Sequence, residues 1–222
     1  MRKLVALVFV LSFAAYSAAD TAWRGVHVMA WGPAGGNEGL PALKRAIEEV
    51  LRPLGANVLI YEVGYNFAFD SHPDMRFDKT ISKEEARDLA QFCRERGIRL
   101  IPQFNCLGHQ SWAKRNLIFP LMSVHPEFEE VPDVAEEERS KLLRNWCPLH
   151  PDVYALVFDL IDEIAEAFGA DAFHVGMDEV LVFASSKCTR CSGKAPADLF
   201  AHAVNRSHEH IVDKRGWTML MW

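Results

Sequence analysis

FHVGMDEV, residues 173–180, sets an Asp and a Glu side by side at the end of an apolar run. The run Ala172–Val175 is short and rich in strand formers, so it reads as a buried β-strand. Successive side chains on a strand point to opposite faces. Asp178 and Glu179 can therefore share one pocket only where the strand has ended and the backbone turns. An acidic pair in that position also caps a following helix. The rest of the chain decides between pocket and cap.

Outward from that stretch the pattern repeats. Strand-like runs occur at Gly25–Trp31, Ala56–Val63, Ile98–Asn105 and Trp217–Trp222. Between them, Leu40, Leu43, Ile47, Val50, Leu51 and Leu54 recur at helical spacing, as do Val153, Leu156, Val157, Leu160, Ile161, Ile164 and Phe168. Ser82 and Glu85 form a capping-box pattern, Pro196 suits a first helical turn, and Gly97, Gly169 and Gly216 stand where helices stop.

Strand–helix–strand alternation implies parallel strands with right-handed crossovers, in a (β/α)8 barrel or an open doubly wound sheet. The segment AWGPAGGNEG, residues 30–39, lacks the glycine register of a dinucleotide turn, which favours the barrel. A barrel closes with eight strands and about 250 residues. Five are counted, so the expected fold is α/β, of (β/α)8 TIM-barrel type, truncated after about five strands. Such a fragment is expected to expose an unpaired edge, to aggregate and to be inactive by itself.

Polar and aromatic residues gather at one end of these strands. Glu62, Tyr65 and Asn66 follow the second, Asn105, His109 and Trp112 the third, Asp178 and Glu179 the fourth, and Trp222 ends the fifth. In a barrel that end carries catalysis. The long segment between Cys106 and Pro151, with its acidic run Glu127–Glu138, suits a loop that walls a substrate; the acidic run itself suits a solvated face.

Arg2 and Lys3, the apolar run Leu4–Tyr16 and the small residues Ser17-Ala18-Ala19 have the layout of a secretory signal peptide. Residues 1–19 are expected to be cleaved after Ala19, leaving a partial catalytic domain, 20–222, in a secreted or periplasmic location. The net charge of −6 becomes more negative by two on cleavage. That argues against nucleic acid and anionic membranes as partners, so neither nucleic acid nor, after cleavage, a membrane is expected. Of the five cysteines, Cys188 and Cys191 are spaced like half a zinc knuckle, with no second pair to match. A local disulfide, a shared metal site and two plain thiols all fit, with a disulfide or loop staple favoured. No metal or cofactor is expected.

HVGMDE, from His174 to Glu179, resembles the His-x-Gly-Gly-Asp-Glu signature of glycoside hydrolase family 20, the β-N-acetylhexosaminidases, in their hexosaminidase D-like branch. PQFNCLGH, Pro102 to His109, is similar to the family's Pro-Glu-x-Asp-x-x-Gly-His. CPLHPDVYALVFDLIDEI resembles the segment leading into the catalytic strand, and GWTMLMW the strand whose terminal Trp lines the sugar pocket. Gly32 stands at the position of a sugar-binding Arg, Gln103 and Asn105 replace the acids of the second motif, and Met177 replaces a Gly. These departures bear on substrate identity more than on reaction type.

The resemblance implies a retaining, substrate-assisted exo-glycosidase that removes terminal N-acetylhexosamine, GlcNAc or GalNAc. Glu179 would be the general acid/base, and Asp178 would orient the 2-acetamido group. Adjacent carboxylates also resist double ionisation, which helps one keep its proton. His109, Asn105, Glu62, His174, Trp222 and Trp112 are the candidate substrate-binding residues. His174 fits a core position equally well, and Trp112 and Trp146 fit loop packing. His202, His208 and His210 lack metal-ligand spacing and read as solvated. The alternatives are a non-catalytic carbohydrate-binding protein, or a glycosidase of other specificity, on the same scaffold.

Overall fold

The computed structural model describes residues 22–29, 36–112, 117–131 and 144–222. The expected signal segment 1–19, Gly32 and most of the acidic run lie outside the described residues. Among the described residues there are seven strands: β1 (Gly25–Met29), β2 (Val58–Glu62), β3 (Arg99–Cys106), β4 (Ser111–Trp112), β5 (Leu117–Ile118), β6 (Ala172–Gly176) and β7 (Thr218–Leu220). Five of them form one parallel sheet in the order β1-β2-β3-β6-β7, so each strand lies beside its sequence neighbour in the sheet. Among the described residues the sheet stays open. This is the expected (β/α)8-type α/β arrangement, with the expected five strands. β4 and β5 form a separate antiparallel ribbon.

Helices α1 (Leu40–Ala46), α2 (Lys83–Arg94), α4 (Val153–Phe168) and α5 (Pro196–His208) fill the crossovers, and the short α3 (Pro120–Val124) lies within the long β3–β6 connection. Their ends follow the local chemistry. Ser82 Oγ accepts from the Glu85 amide at 3.2 Å while the Glu85 carboxylate accepts from the Ser82 amide at 2.8 Å, a complete capping box. Gly169 ends α4 at φ 59, a conformation that a side chain would strain. α1 and α5 loosen into π-helical turns at Ile47–Leu51 and Glu209–Lys214, which periodicity alone does not signal.

Alternation along the strands sorts the sheet into two faces. Leu59, Tyr61, Phe104, Phe173 and Val175 point towards the helices and join the main core. α4 buries eleven side chains there; each fully buried Leu, Ile or Phe contributes about 1.5–3 kcal/mol. The opposite face begins with a small apolar cluster of Val58, Ile60, Ile101, Ala172 and Leu220. Further along, the cross-strand row Met29, Glu62, Gln103, His174 and Leu220 is largely polar.

Two expectations are corrected. No disulfide joins Cys188 and Cys191; all five cysteines are free and buried. The turn that carries the pair aims both thiols at Cys147 instead, at 3.5 and 3.2 Å respectively. His210 is not solvated: it bonds Asp162 of α4 at 2.8 Å and stacks on Phe158.

Candidate active site

The acidic pair shares a pocket because the chain turns left-handed at the end of β6. Gly176 and Met177 both have φ 68, and Glu179 has φ 48. A matching turn follows β3, where Leu107 has φ 67 and His109 φ 52. Non-glycine residues in this region are strained by ~1–3 kcal/mol each and collect at functional sites. Four of the five such residues among those described lie in these two loops.

The loops interlock through glycine. A Cβ on Gly176 would sit 1.8 Å from Asn105 Oδ1, and one on Gly108 would sit 2.9 Å from the Asp178 carbonyl. Neither position has room for a side chain. Gln110 bolts the β3 loop from below: its Nε2 donates to the Asn105 and Gly108 carbonyls at 2.9 and 2.8 Å, and its Oε1 accepts from the Tyr65 hydroxyl at 2.5 Å.

On this base His109 bridges the acids. Its Nε2 lies 3.2 Å from Asp178 Oδ2 and 3.6 Å from Glu179 Oε2. The two carboxylates differ in setting. Glu179 projects outward, with its side chain 62% exposed, whereas Asp178 is at 37% and its Oδ1 is buried with no hydrogen-bond partner.

Beside them runs a polar line across the strand ends. Glu62 Oε1 accepts from Asn105 Nδ2 at 2.6 Å, Asn105 Oδ1 accepts from Gln103 Nε2 at 3.0 Å, and His27 Nε2 lies 3.2 Å from Glu62 Oε2. Glu62, Asn105 and His109 border one small pocket. On the other flank the Trp222 ring leans on His174 at 4.5 Å and on His27 at 5.1 Å, and remains half exposed. His174 Nδ1 accepts the Gly176 amide at 3.1 Å. Burial, with the nearby His27 in support and Asp178 opposing, pulls its pKa down to about 4. His174 is thus a neutral imidazole with its proton on Nε2.

Seven of the eight sequence-predicted residues fall in this region. Trp112 sits on the β4–β5 ribbon and packs against the main core. Trp146 is buried in loop packing. His27 and Gln110 were missed. A histidine on the β1 face shared with Glu62 was the available signal for the first; nothing marked the second. A separate cleft opens at the opposite ends of the strands, around Arg99 and Asp171. That pair is an exposed ion pair with no carboxylate dyad beside it.

The model of the family described as glycosyl hydrolase family 20, catalytic domain, matches residues 60–222. The chain belongs to this family. Its relatives include the β-hexosaminidases of Akkermansia muciniphila, 26% identical over 50% of this chain and 21% of the relative, and of Porphyromonas gingivalis, 24% identical over 64% and 18%. The chain thus spans about a fifth of the length of these curated relatives. In fold it is similar to the Flavobacterium johnsoniae chitobiase structure, with a TM-score of 0.71 at 20% identity over 90% of this chain and 31% of that one. The family 20 match takes in every residue of the site except His27.

Proposed function

We propose that this chain carries the catalytic pair of an exported, retaining exo-glycosidase that removes terminal N-acetylhexosamine by substrate assistance. One observation carries the reading. Asp178 Oδ1 is buried and unpartnered, next to a carboxylate that projects into solvent. A buried acceptor left open calls for a donor from outside the chain, and the N–H of a 2-acetamido group is such a donor.

In the proposed reaction Asp178 accepts that N–H and turns the acetamido oxygen towards the anomeric carbon. The oxygen attacks as the glycosidic bond breaks, and Glu179 delivers its proton to the leaving oxygen. Asp178 then balances the positive charge of the oxazolinium. Water, deprotonated by Glu179, opens the ring on the same face that the leaving group departed, so configuration is retained. His109 holds both carboxylates in register, and Trp222 offers an aromatic surface to the sugar's C–H groups.

The test is turnover of an aryl N-acetyl-β-hexosaminide by the full-length enzyme and its inhibition by a thiazoline analogue of the oxazoline. Hydrolysis blocked by the thiazoline is the expected result. Saturable sugar binding without turnover would identify a binding protein, and turnover indifferent to the thiazoline would exclude acetamido participation.

A further inference from the structure

Four ligand-type side chains from three separate segments meet away from the catalytic pair. Glu130 follows a 3-10 turn at Pro126–Phe128, Cys147 lies just before α4, and Cys188 and Cys191 sit in the loop after β6. One ligand atom from each lies within 4.8 Å of all the others, and all four residues are buried. The backbone builds this meeting. Glu129 and Trp146 form an antiparallel bridge, and the Cys147 amide donates to the Phe128 carbonyl at 2.7 Å, which sets Glu130 beside Cys147. The Ser185 amide donates to Glu130 Oε1 at 3.1 Å, and the Ser192 amide to the Cys188 carbonyl at 2.9 Å, which folds the Cys-x-x-Cys turn over them.

The donor set has an odd number of thiols, so no disulfide pairing consumes it. The sulfurs stand 3.2 and 3.5 Å apart, far beyond a disulfide bond of about 2.05 Å. Tetrahedral zinc with Zn–S of about 2.3 Å needs sulfurs about 3.8 Å apart, so a small outward adjustment would admit the ion. The fourth corner is also available: Glu130 is 1% exposed and its Oε2 has no hydrogen-bond partner. A buried carboxylate held within 4.8 Å of three buried sulfurs, with one of its oxygens short of a geometric hydrogen bond, points to a cation.

We propose that Glu130, Cys147, Cys188 and Cys191 form a structural zinc site. Three thiolates and a carboxylate suit a soft, tetrahedral divalent ion. Each thiol would release its proton to solvent as it binds. Four protein ligands leave no open position, so the ion would hold structure rather than catalyse. It would tie the loop that follows Asp178 and Glu179 to the long β3–β6 connection. This reading is independent of the glycosidase proposal, and it replaces the expectation of a metal-free chain.

The experiment is metal analysis of the purified full-length protein, joined to a count of thiols in denaturant. About one zinc per chain, carried through gel filtration, is expected, with all five cysteines titrating as thiols once a chelator is added. Cys188→Ser should abolish stoichiometric zinc. Glu130→Gln keeps the side chain's shape, so it guards against simple misfolding; it should retain the fold and weaken zinc by at least about tenfold, the lower end for losing even an outer partner of a metal site. Protein that holds no zinc after reconstitution with the ion, or that shows only three thiols because two cysteines have paired, would overturn the proposal. So would a Glu130→Gln variant with unchanged zinc affinity.

Discussion

On the helix side of the sheet Leu59, Phe104, Phe173 and Val175 are buried against α2 and α4, and every position is apolar. On the other side Val58, Ile60, Ile101 and Ala172 give way within two or three residues to Glu62, Gln103, Asn105 and His174. The same strands and the same alternation supply both faces. The helix face holds the fold together through area removed from water. The open face carries hydrogen-bonding groups on strands held rigid in this way. Stability and chemistry should therefore be separable by face, and substitutions test that division.

The largest separation is expected at the acidic pair. Glu179→Gln in the full-length enzyme should slow substrates with poor leaving groups by ~100- to 10,000-fold, with activated aryl leaving groups spared most of that loss. Asp178→Asn should slow every N-acetyl substrate whatever its leaving group. Both variants should melt with the parent, because neither carboxylate is part of the apolar core. Parental rates for Glu179→Gln on a natural-type disaccharide would remove it from the acid's role.

The helix face predicts the reverse. Ile164 is fully buried in α4, and Ile164→Ala should cost ~2–5 kcal/mol in urea unfolding. The folded fraction should keep its KM. A loss of turnover at unchanged stability would show that the two faces are not independent.

His174 belongs to the open face yet is buried, and it should link the two. Its pKa lies near 4 folded against an ordinary 6.5, so the unfolded chain takes up the proton first. Its contribution is therefore complete above about pH 6.5 and is lost as pH falls towards 4, with a ceiling of ~3 kcal/mol. Thermal melts across that window should show the decline, and His174→Gln should flatten part of it. A smaller effect, ~1 kcal/mol, is expected for Ser82→Ala, which removes the α2 cap far from the site.

Much of this division was legible in the sequence, for physical reasons. Parallel strands covered on both faces read as nearly continuous apolar runs, and helices between them end at glycines, so all five sheet strands were placed within a few residues. The dyad and its neighbours at strand ends followed from the same alternation. Other features depended on chain reversals that no local pattern encodes. His27 looked like one polar residue in an apolar strand until β1 paired with β2 and brought it to Glu62. Gln110 acts only because the β3 loop curls back over it. Cys147 lies more than forty residues from Cys191, so their proximity was invisible to spacing, and the local pair suggested a staple that does not form.

The cross-strand row of Glu62, Gln103 and His174 has a bearing on folding fidelity. Side chains alternate with period two, so a slip of one residue in any strand pairing would drive that strand's polar groups beneath α2 and α4. A carboxylate such as Glu62 forced into that apolar layer without its partners would lose several kcal/mol of hydration. Its apolar neighbours would at the same moment surface on the other side. The polar residues of the candidate site therefore also act as a check on strand alignment, penalising each misregistered sheet before the helices can pack onto it.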